Sequence, residues 1–142
     1  MARWRKERNK KEDLAVKKCV IFCAGKMELP PLPIEKDDLV IAADAGLVTA
    51  RRFGVEPSIV LGDFDSLGEP DVPKETEVIR VPAQKDDTDT QLAVCVALER
   101  GAREIVIIGG LDGRLDHTLG NLCLLGYIAD KGGRGVLLSN KE

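Results

Sequence analysis

The chain has 142 residues, a formal net charge of −3 and 32% charged residues, which indicates one soluble globular domain. Its one Trp, one Tyr and three Phe, and the lack of a long apolar run, argue against a base-stacking surface for nucleic acid and against a membrane-spanning helix. The N-terminus has no apolar core of the secretory type, so we expect a cytoplasmic protein.

The first 18 residues differ in charge from the rest of the chain. They contain eight Lys and Arg residues against three Asp and Glu residues. Because no motif accompanies these charges, we interpret residues 1–18 as a solvated basic extension rather than an arm that binds nucleic acid or a membrane. Residues 19–142 then form the folded domain.

Short apolar runs alternate with helical patterns through residues 19–142. In chain order, the first predicted elements are strand Cys19–Ala24, strand Leu39–Ala43, helix Leu47–Phe53, strand Ile59–Leu61 and strand Val78–Val81. A helix over 89–100 follows, with Leu92, Cys95, Val96 and Leu98 as its apolar positions, and then strand Ile105–Ile108. The last two elements are a helix that starts near Asp116, carries Leu119, Leu122, Leu125 and Ile128 and ends near Gly132, and strand Val136–Leu138.

The predicted strands are continuously apolar rather than alternating. This pattern is typical of a parallel sheet that is covered on both faces. We therefore expect an α/β domain with a doubly wound, mostly parallel six-stranded sheet and helices on both faces, a Rossmann-like three-layer arrangement. Ligands bind such sheets beyond the carboxyl ends of the strands, where the charged segments of this chain fall.

The four cysteines favour neither a disulfide nor a zinc site. Cys19 and Cys23 share one predicted strand, where four residues span roughly 13 Å, too far for a disulfide. With no C-x-x-C motif and one His, the usual zinc frameworks are missing. We interpret Cys19, Cys23, Cys95 and Cys123 as small buried hydrophobic residues in a reducing compartment.

Two acidic residues follow the third predicted strand. Asp63 and Asp65 are two positions apart, and in an extended chain this spacing points both side chains in the same direction. Neighbouring carboxylates repel each other unless one is protonated or a cation lies between them, and Mg²⁺ combines carboxylates with substrate phosphates. The alternative is a turn in which either Asp caps its own backbone beside Gly62 and Ser66.

A second acidic segment follows the fourth predicted strand. Thr88 stands three residues before a Gln, the spacing of a capping box, which makes Asp89 the first residue of the next helix. One acidic residue would be enough to complement the helix dipole, whereas Asp86, Asp87 and Asp89 are three. We therefore favour a metal role for Asp89, while Lys85 either neutralises a phosphate or pairs with Asp86.

The segment after the fifth predicted strand, Gly109–Thr118, combines glycines with charged residues. Glycines at such a place let the backbone approach a ligand closely. Arg114 supplies a fixed fork of donors for phosphate, and Asp116 stands at the start of the next helix. His117 is the only His of the chain, and a lone His is more often structural or a helix cap than catalytic.

Four segments, Asp44–Gly46, Gly62–Ser66, Lys85–Asp89 and Gly113–His117, in this order resemble the catalytic domain of thiamin pyrophosphokinase over about residues 19–139. The resemblance implies transfer of a diphosphate from ATP to the hydroxyl group of thiamin, with Mg²⁺ as the cofactor, giving thiamin diphosphate and AMP. It also implies a homodimer. The β-rich second domain that follows the catalytic domain in this family has no counterpart within residues 19–142.

The resemblance also implies a role for each candidate residue. Asp63, Asp65 and Asp89 look like the magnesium carboxylates, and Asp116 looks like the residue closest to the transferring group, on the metal or as acceptor of the alcohol proton. These four residues are the predicted catalytic set. Residues that look like nucleotide or phosphate contacts are Asp44, Thr88 and Arg114, to which we add Lys85 and His117.

Three other functions fit parts of this pattern. Ile59–Leu67 also resembles the nucleophile loop of haloacid-dehalogenase-type phosphatases, in which the first Asp, here Asp63, becomes phosphorylated. That loop follows the first strand, however, and here two strands precede it. A pyrophosphokinase acting on another alcohol, such as a hydroxymethylpterin, would use the same residues. A non-catalytic nucleotide-binding module would bind ATP without releasing AMP.

Overall fold

The structure, a computed structural model, describes residues 18–23, 34–63, 71–81, 89–109 and 115–138, and of residues 115–118 it describes the backbone alone. In chain order the elements of this part of the chain are β1 (Lys18–Phe22), β2 (Leu39–Ala43), α1 (Gly46–Arg52), β3 (Ile59–Gly62), β4 (Glu77–Arg80), α2 (Asp89–Glu99), β5 (Glu104–Ile108), α3 (Leu115–Asp130) and β6 (Arg134–Leu138).

The six strands form one parallel sheet in the order β4-β3-β2-β1-β5-β6. From β1 the chain adds strands in one direction as far as β4, and it then returns to the other side of β1 with β5. The strand order therefore reverses between β1 and β5, the position at which α/β sheets open a ligand crevice beyond their carboxyl ends. The predicted parallel six-stranded α/β fold is confirmed.

Successive residues of β1 face opposite sides of the sheet. Cys19 and Ile21 pack in one apolar cluster with residues of α2 and α3, whereas Val20 and Phe22 pack in a second cluster with Ala50 of α1. Because both faces are covered, the strand is apolar at consecutive positions. The two clusters confirm the prediction of helices on both faces of the sheet.

Element boundaries differ from the sequence prediction by one or two residues. Helix α1 begins at Gly46 rather than at Leu47. Strand β1 ends at Phe22, although Cys23 continues the pairing with β5 because its N–H donates to the carbonyl oxygen of Ile108 at 2.9 Å. Ala24, the predicted end of β1, lies outside the described residues.

The predicted apolar face of α3 is only partly correct, because Ile128 is buried and Leu125 half-buried, whereas the other two positions are exposed. Leu119 and Leu122 are 54% and 46% exposed, whereas Leu124 and Ile128 are buried. A repeat of three residues drifts around a helix that has about 3.6 residues per turn, so four positions at this spacing do not stay on one face. The buried positions instead follow the mixed spacing of three and four residues that a helical face requires.

The buried face of α2 also differs from the prediction. Its buried residues are Ala93, Val94 and Ala97, and the larger side chains at Leu92, Cys95, Val96 and Leu98 are half-buried. Small residues on the inner face let the helix approach the sheet closely. Larger apolar side chains then cover the edges of the helix–sheet contact.

Two of the four cysteines are buried, not all four as predicted. Cys19 and Cys23 lie in the core beside the sheet, Cys95 is half-buried and Cys123 is exposed. The two less buried residues lie on α2 and α3, at helical positions that turn away from the sheet. All four thiols are free, as the sequence predicts. Among the described helices, none combines the length and apolarity needed to cross a membrane.

Candidate functional site

Three of the predicted site residues lie at the carboxyl edge of the sheet. Asp44 directly follows β2, Asp63 directly follows β3, and Asp89 is the first residue of α2. The N–H of Asp44 donates to the carbonyl oxygen of Leu61 at 2.7 Å, which continues the pairing of β2 with β3. Asp44 and Asp63 therefore leave two neighbouring parallel strands at the same edge.

Asp44 occupies a tight turn between β2 and α1. Its φ is 53°, in the left-handed region that Asp tolerates better than most residues. Two residues later, Gly46 starts α1 against the backbone of Phe22, where there is no room for a side chain. This contact places the Asp44 turn beside β1, one of the two strands between which the strand order reverses.

The start of α2 contacts the end of β1. The Sγ atom of Cys23 lies 3.2 Å from Oγ1 of Thr90, and either group is able to donate the hydrogen bond. Burial raises the pKa of the Cys23 thiol to about 11; the hydrogen bond with Thr90 lowers it and the negative charge of Asp89 raises it further. The carboxylate of Asp89 thus acts on the thiol from close by, and its Oδ1 atom is buried.

The donor chemistry of these residues fits a hard divalent cation. Asp44, Asp63 and Asp89 offer carboxylate oxygens, the ligands that Mg²⁺ prefers in proteins. A carboxylate oxygen that is buried, as in Asp89, is costly in apolar surroundings, and a cation nearby lowers that cost. The edge therefore has the right kind of atoms for the predicted magnesium site.

Asp65, the remaining predicted magnesium carboxylate, lies outside the described residues. Within the described residues, no group of three His, Cys, Asp or Glu is arranged to hold a metal ion. The three-carboxylate site formed by Asp63, Asp65 and Asp89 therefore stays a prediction.

The other candidates fall into two groups. Lys85, Thr88 and Arg114 lie outside the described residues. Asp116 and His117 lie in the first turn of α3, which begins at Leu115, and their side chains are likewise not described. The predicted start of this helix near Asp116 is confirmed. Asp116 and His117 therefore lie at the beginning of the helix that follows β5 in the chain.

Sequence reasoning missed two residues at this edge. The sequence predicts Cys23 only as a small buried residue, and no motif marks Thr90, yet the two side chains are in contact across 67 positions of the chain. The available signal was positional, because Cys23 comes directly after a buried strand and Thr90 comes directly after Asp89. Neither position predicts on its own which side chain it contacts.

These observations define a doubly wound α/β domain with acidic residues at the ligand-binding edge of its sheet. Residues 32–136 match the family model described as thiamin pyrophosphokinase, catalytic domain. The chain belongs to the thiamin pyrophosphokinase family, as the four sequence segments predict.

Individual relatives agree with this assignment. The chain is 40% identical over 95 residues to the thiamine pyrophosphokinase of Bacillus subtilis, and this match covers 64% of this chain and 44% of that protein. It is 33% identical over 111 residues to thiamin pyrophosphokinase 1 of Caenorhabditis elegans, and this match covers 72% of this chain and 45% of that protein. The matched region covers less than half the length of each of these curated relatives.

A solved structure shows the same fold. The crystal structure of thiamine pyrophosphokinase from Bacillus subtilis matches this chain with a TM-score of 0.69 at 31% sequence identity. The match covers 86% of this chain and 60% of that chain. The architecture described above is thus the one found in this family.

Proposed function

We propose that this chain provides the ATP-binding and catalytic part of a thiamin pyrophosphokinase. It transfers the terminal diphosphate of ATP to the hydroxyl group of thiamin, with Mg²⁺ as the cofactor, and yields thiamin diphosphate and AMP. The observation that carries the proposal is that Asp44, Asp63 and Asp89 all lie at the carboxyl edge of the sheet in a chain of this family.

The proposed roles follow from charge and position. Asp63, Asp65 and Asp89 hold Mg²⁺, which when bound offsets negative charge on the phosphate oxygens. Asp44 follows β2 beside this site and orients the nucleotide. The residues that complete the proposed nucleotide site are Lys85, Thr88, Arg114 and His117.

The proposed reaction is an in-line displacement at the β-phosphorus of ATP. The hydroxyl oxygen of thiamin forms a bond to the β-phosphorus while the bond from that phosphorus to the α,β-bridging oxygen breaks. AMP leaves with that oxygen and the electron pair. The hydroxyl proton either passes directly to the carboxylate of Asp116, at the start of α3, or passes to solvent with the help of Asp116. Such chemistry depends mainly on positioning and charge neutralisation.

The topology argues against the phosphatase alternative. In that class the nucleophilic Asp follows the first strand of the sheet, whereas Asp63 follows β3 and both β1 and β2 precede it in the chain. Strand β3 also lies next to the edge strand β4 rather than at the centre of the sheet. If a phosphorylated Asp63 were trapped with a phosphate-ester substrate, the site would instead be that of a haloacid-dehalogenase-type phosphatase.

The assembly and the acceptor are part of the proposal. We propose a homodimer, in keeping with the family resemblance, and thiamin as the acceptor. Because the matched region is less than half of each curated relative, we expect the 142-residue chain on its own to bind Mg–ATP and to turn over thiamin slowly. Thiamin turnover at the ordinary rate of a kinase, about 1 s⁻¹ or more, would contradict this expectation.

The test combines binding with product analysis. Calorimetric titration with ATP should show binding that requires Mg²⁺, and AMP should then appear slowly with thiamin as the acceptor. ATP binding that does not depend on Mg²⁺ would contradict the proposal. AMP release with a hydroxymethylpterin but not with thiamin would favour the other pyrophosphokinase. ATP binding without AMP release, in a longer chain offered either acceptor, would indicate a non-catalytic module.

A further inference from the structure

Cys23 and Thr90 join the centre of the sheet to the first turn of α2. The N–H of Cys23 donates to the carbonyl oxygen of Ile108 at 2.9 Å, so the backbone of Cys23 is fixed to β5. From this fixed position, its Sγ atom reaches to 3.2 Å from Oγ1 of Thr90. The contact is therefore a directional link between a rigid strand end and the start of a helix.

A second anchor of α2 is of a different kind. Its middle is held by the apolar packing of Ala93, Val94 and Ala97 against the sheet. Apolar contacts are not directional, whereas a hydrogen bond restricts both the distance and the angle between its groups. The first turn of a helix is also the part whose backbone N–H groups lack intrahelical acceptors. We therefore expect the contact with Cys23 to fix the position of this turn.

Asp89 is carried by the same turn. It immediately precedes Thr90, its Oδ1 atom is buried, and its charge acts on the Cys23 thiol. Any rotation or shift of the first turn moves the Asp89 carboxylate with it. A metal ligand has to be placed to within a few tenths of an ångström, and the groups that orient ligands commonly change metal affinity when they are removed.

We propose that Cys23 and Thr90 are a pair of positioning residues that hold the Asp89 carboxylate where it binds Mg²⁺. This inference rests on the magnesium role of Asp89 in the proposed function. The thiol and the hydroxyl group act through Asp89, and neither one is a ligand of the ion. Their contribution is to the geometry of the site rather than to its charge.

The test removes each partner and then restores the polar group. Thr90→Val deletes the hydroxyl group at nearly constant shape, Cys23→Ala deletes the thiol, and Thr90→Ser keeps a hydroxyl group. We measure the Mg²⁺ concentration needed for half-maximal ATP binding, together with ATP affinity at saturating Mg²⁺. Thr90→Val and Cys23→Ala should each raise the Mg²⁺ requirement about tenfold. Thr90→Ser should keep the wild-type requirement, and saturating Mg²⁺ should restore wild-type ATP affinity in all variants.

Two matched controls separate this effect from a general loss of structure. Thr76 lies in the turn before β4, and Cys123 lies at an exposed position of α3. The variants Thr76→Val and Cys123→Ala should both keep the wild-type Mg²⁺ requirement. A wild-type requirement in Thr90→Val or Cys23→Ala would overturn the inference. So would a loss of ATP affinity that persists at saturating Mg²⁺ while the Mg²⁺ requirement is unchanged. Wild-type protein that binds ATP without Mg²⁺ would instead overturn the proposed function, before any substitution is compared.

Discussion

A Cβ atom at Gly46 would lie 1.9 Å from the carbonyl oxygen of Phe22 and 2.5 Å from its carbonyl carbon. The first residue of α1 thus packs directly on the last residue of β1. Both atoms belong to the backbone, so no side-chain rotation makes room for a methyl group. The turn that carries Asp44 is held beside the central strand by a contact that only glycine permits.

Gly46→Ala should therefore destabilise the protein strongly. We expect the free energy of unfolding to fall by about 3 kcal/mol or more, because the added methyl group has to displace either α1 or the end of β1. Urea unfolding of wild type and variant measures this difference. The matched control is Gly126→Ala on α3, where a Cβ atom meets nothing within 4 Å.

The control substitution should not lower the free energy of unfolding. Alanine in a helix interior is favoured over glycine by about 0.5–1 kcal/mol, so Gly126→Ala should be neutral or stabilising. If Gly46→Ala and Gly126→Ala changed the free energy of unfolding by the same amount, the close approach of Gly46 to Phe22 would be wrong.

Asp63→Asn and Asp89→Asn test the predicted magnesium carboxylates. Each should weaken Mg²⁺-dependent ATP binding by about 10- to 100-fold, since a neutral amide replaces a charged ligand. The free energy of unfolding without metal should stay the same or rise slightly, because repulsion among the acidic residues decreases. Calorimetry and urea unfolding measure the two quantities separately.

Asp37→Asn is the control for charge alone, because Asp37 lies in the turn before β2, at the opposite edge of the sheet. It should bind Mg–ATP as the wild type does. A drop in stability of Asp63→Asn or Asp89→Asn with unchanged Mg²⁺-dependent binding would show that these residues cap turns and helices instead.

The strands and the ligand-binding edge were predictable from sequence because both depend on local patterns. Continuous apolar runs mark buried parallel strands, and residues that directly follow such strands share one edge. The contact between Cys23 and Thr90 was not predictable in this way. It depends on how α2 is rotated and how closely it packs, which is decided by side chains from several elements together.

Cys19 makes the stability of the protein sensitive to alkaline pH. Burial, with a smaller contribution from the charge of Asp38, raises the pKa of the Cys19 thiol far above its usual value of 9.0. Above pH 9 the unfolded chain therefore loses this proton while the folded protein keeps it, so stability falls as pH rises. The loss from this group is about 1.4 kcal/mol for each pH unit, and below pH 9 its contribution is fully present.

Cys19→Ala removes this titration. The variant should be less stable than wild type at pH 8 because a core atom is lost, but its free energy of unfolding should decline less steeply between pH 9 and 10.5. Urea unfolding at a series of pH values gives both slopes. Cys123→Ala, at an exposed position, is the matched control and should keep the wild-type slope. Equal slopes for wild type and Cys19→Ala would contradict the burial of this thiol.

Helix α3 allows a direct comparison of the register predicted from sequence with the one observed. A stripe at every third residue treats Leu119 and Ile128 as equivalent, whereas the structure leaves Leu119 54% exposed and buries Ile128 completely. Ile128→Ala should lower the free energy of unfolding by about 2–5 kcal/mol through the cavity that it creates. Leu119→Ala should change it by about 0.5 kcal/mol or less. Nine residues correspond to two and a half helical turns, which is why the two positions lie on opposite faces. Similar losses in the two variants, measured by urea unfolding, would contradict the observed rotation of α3.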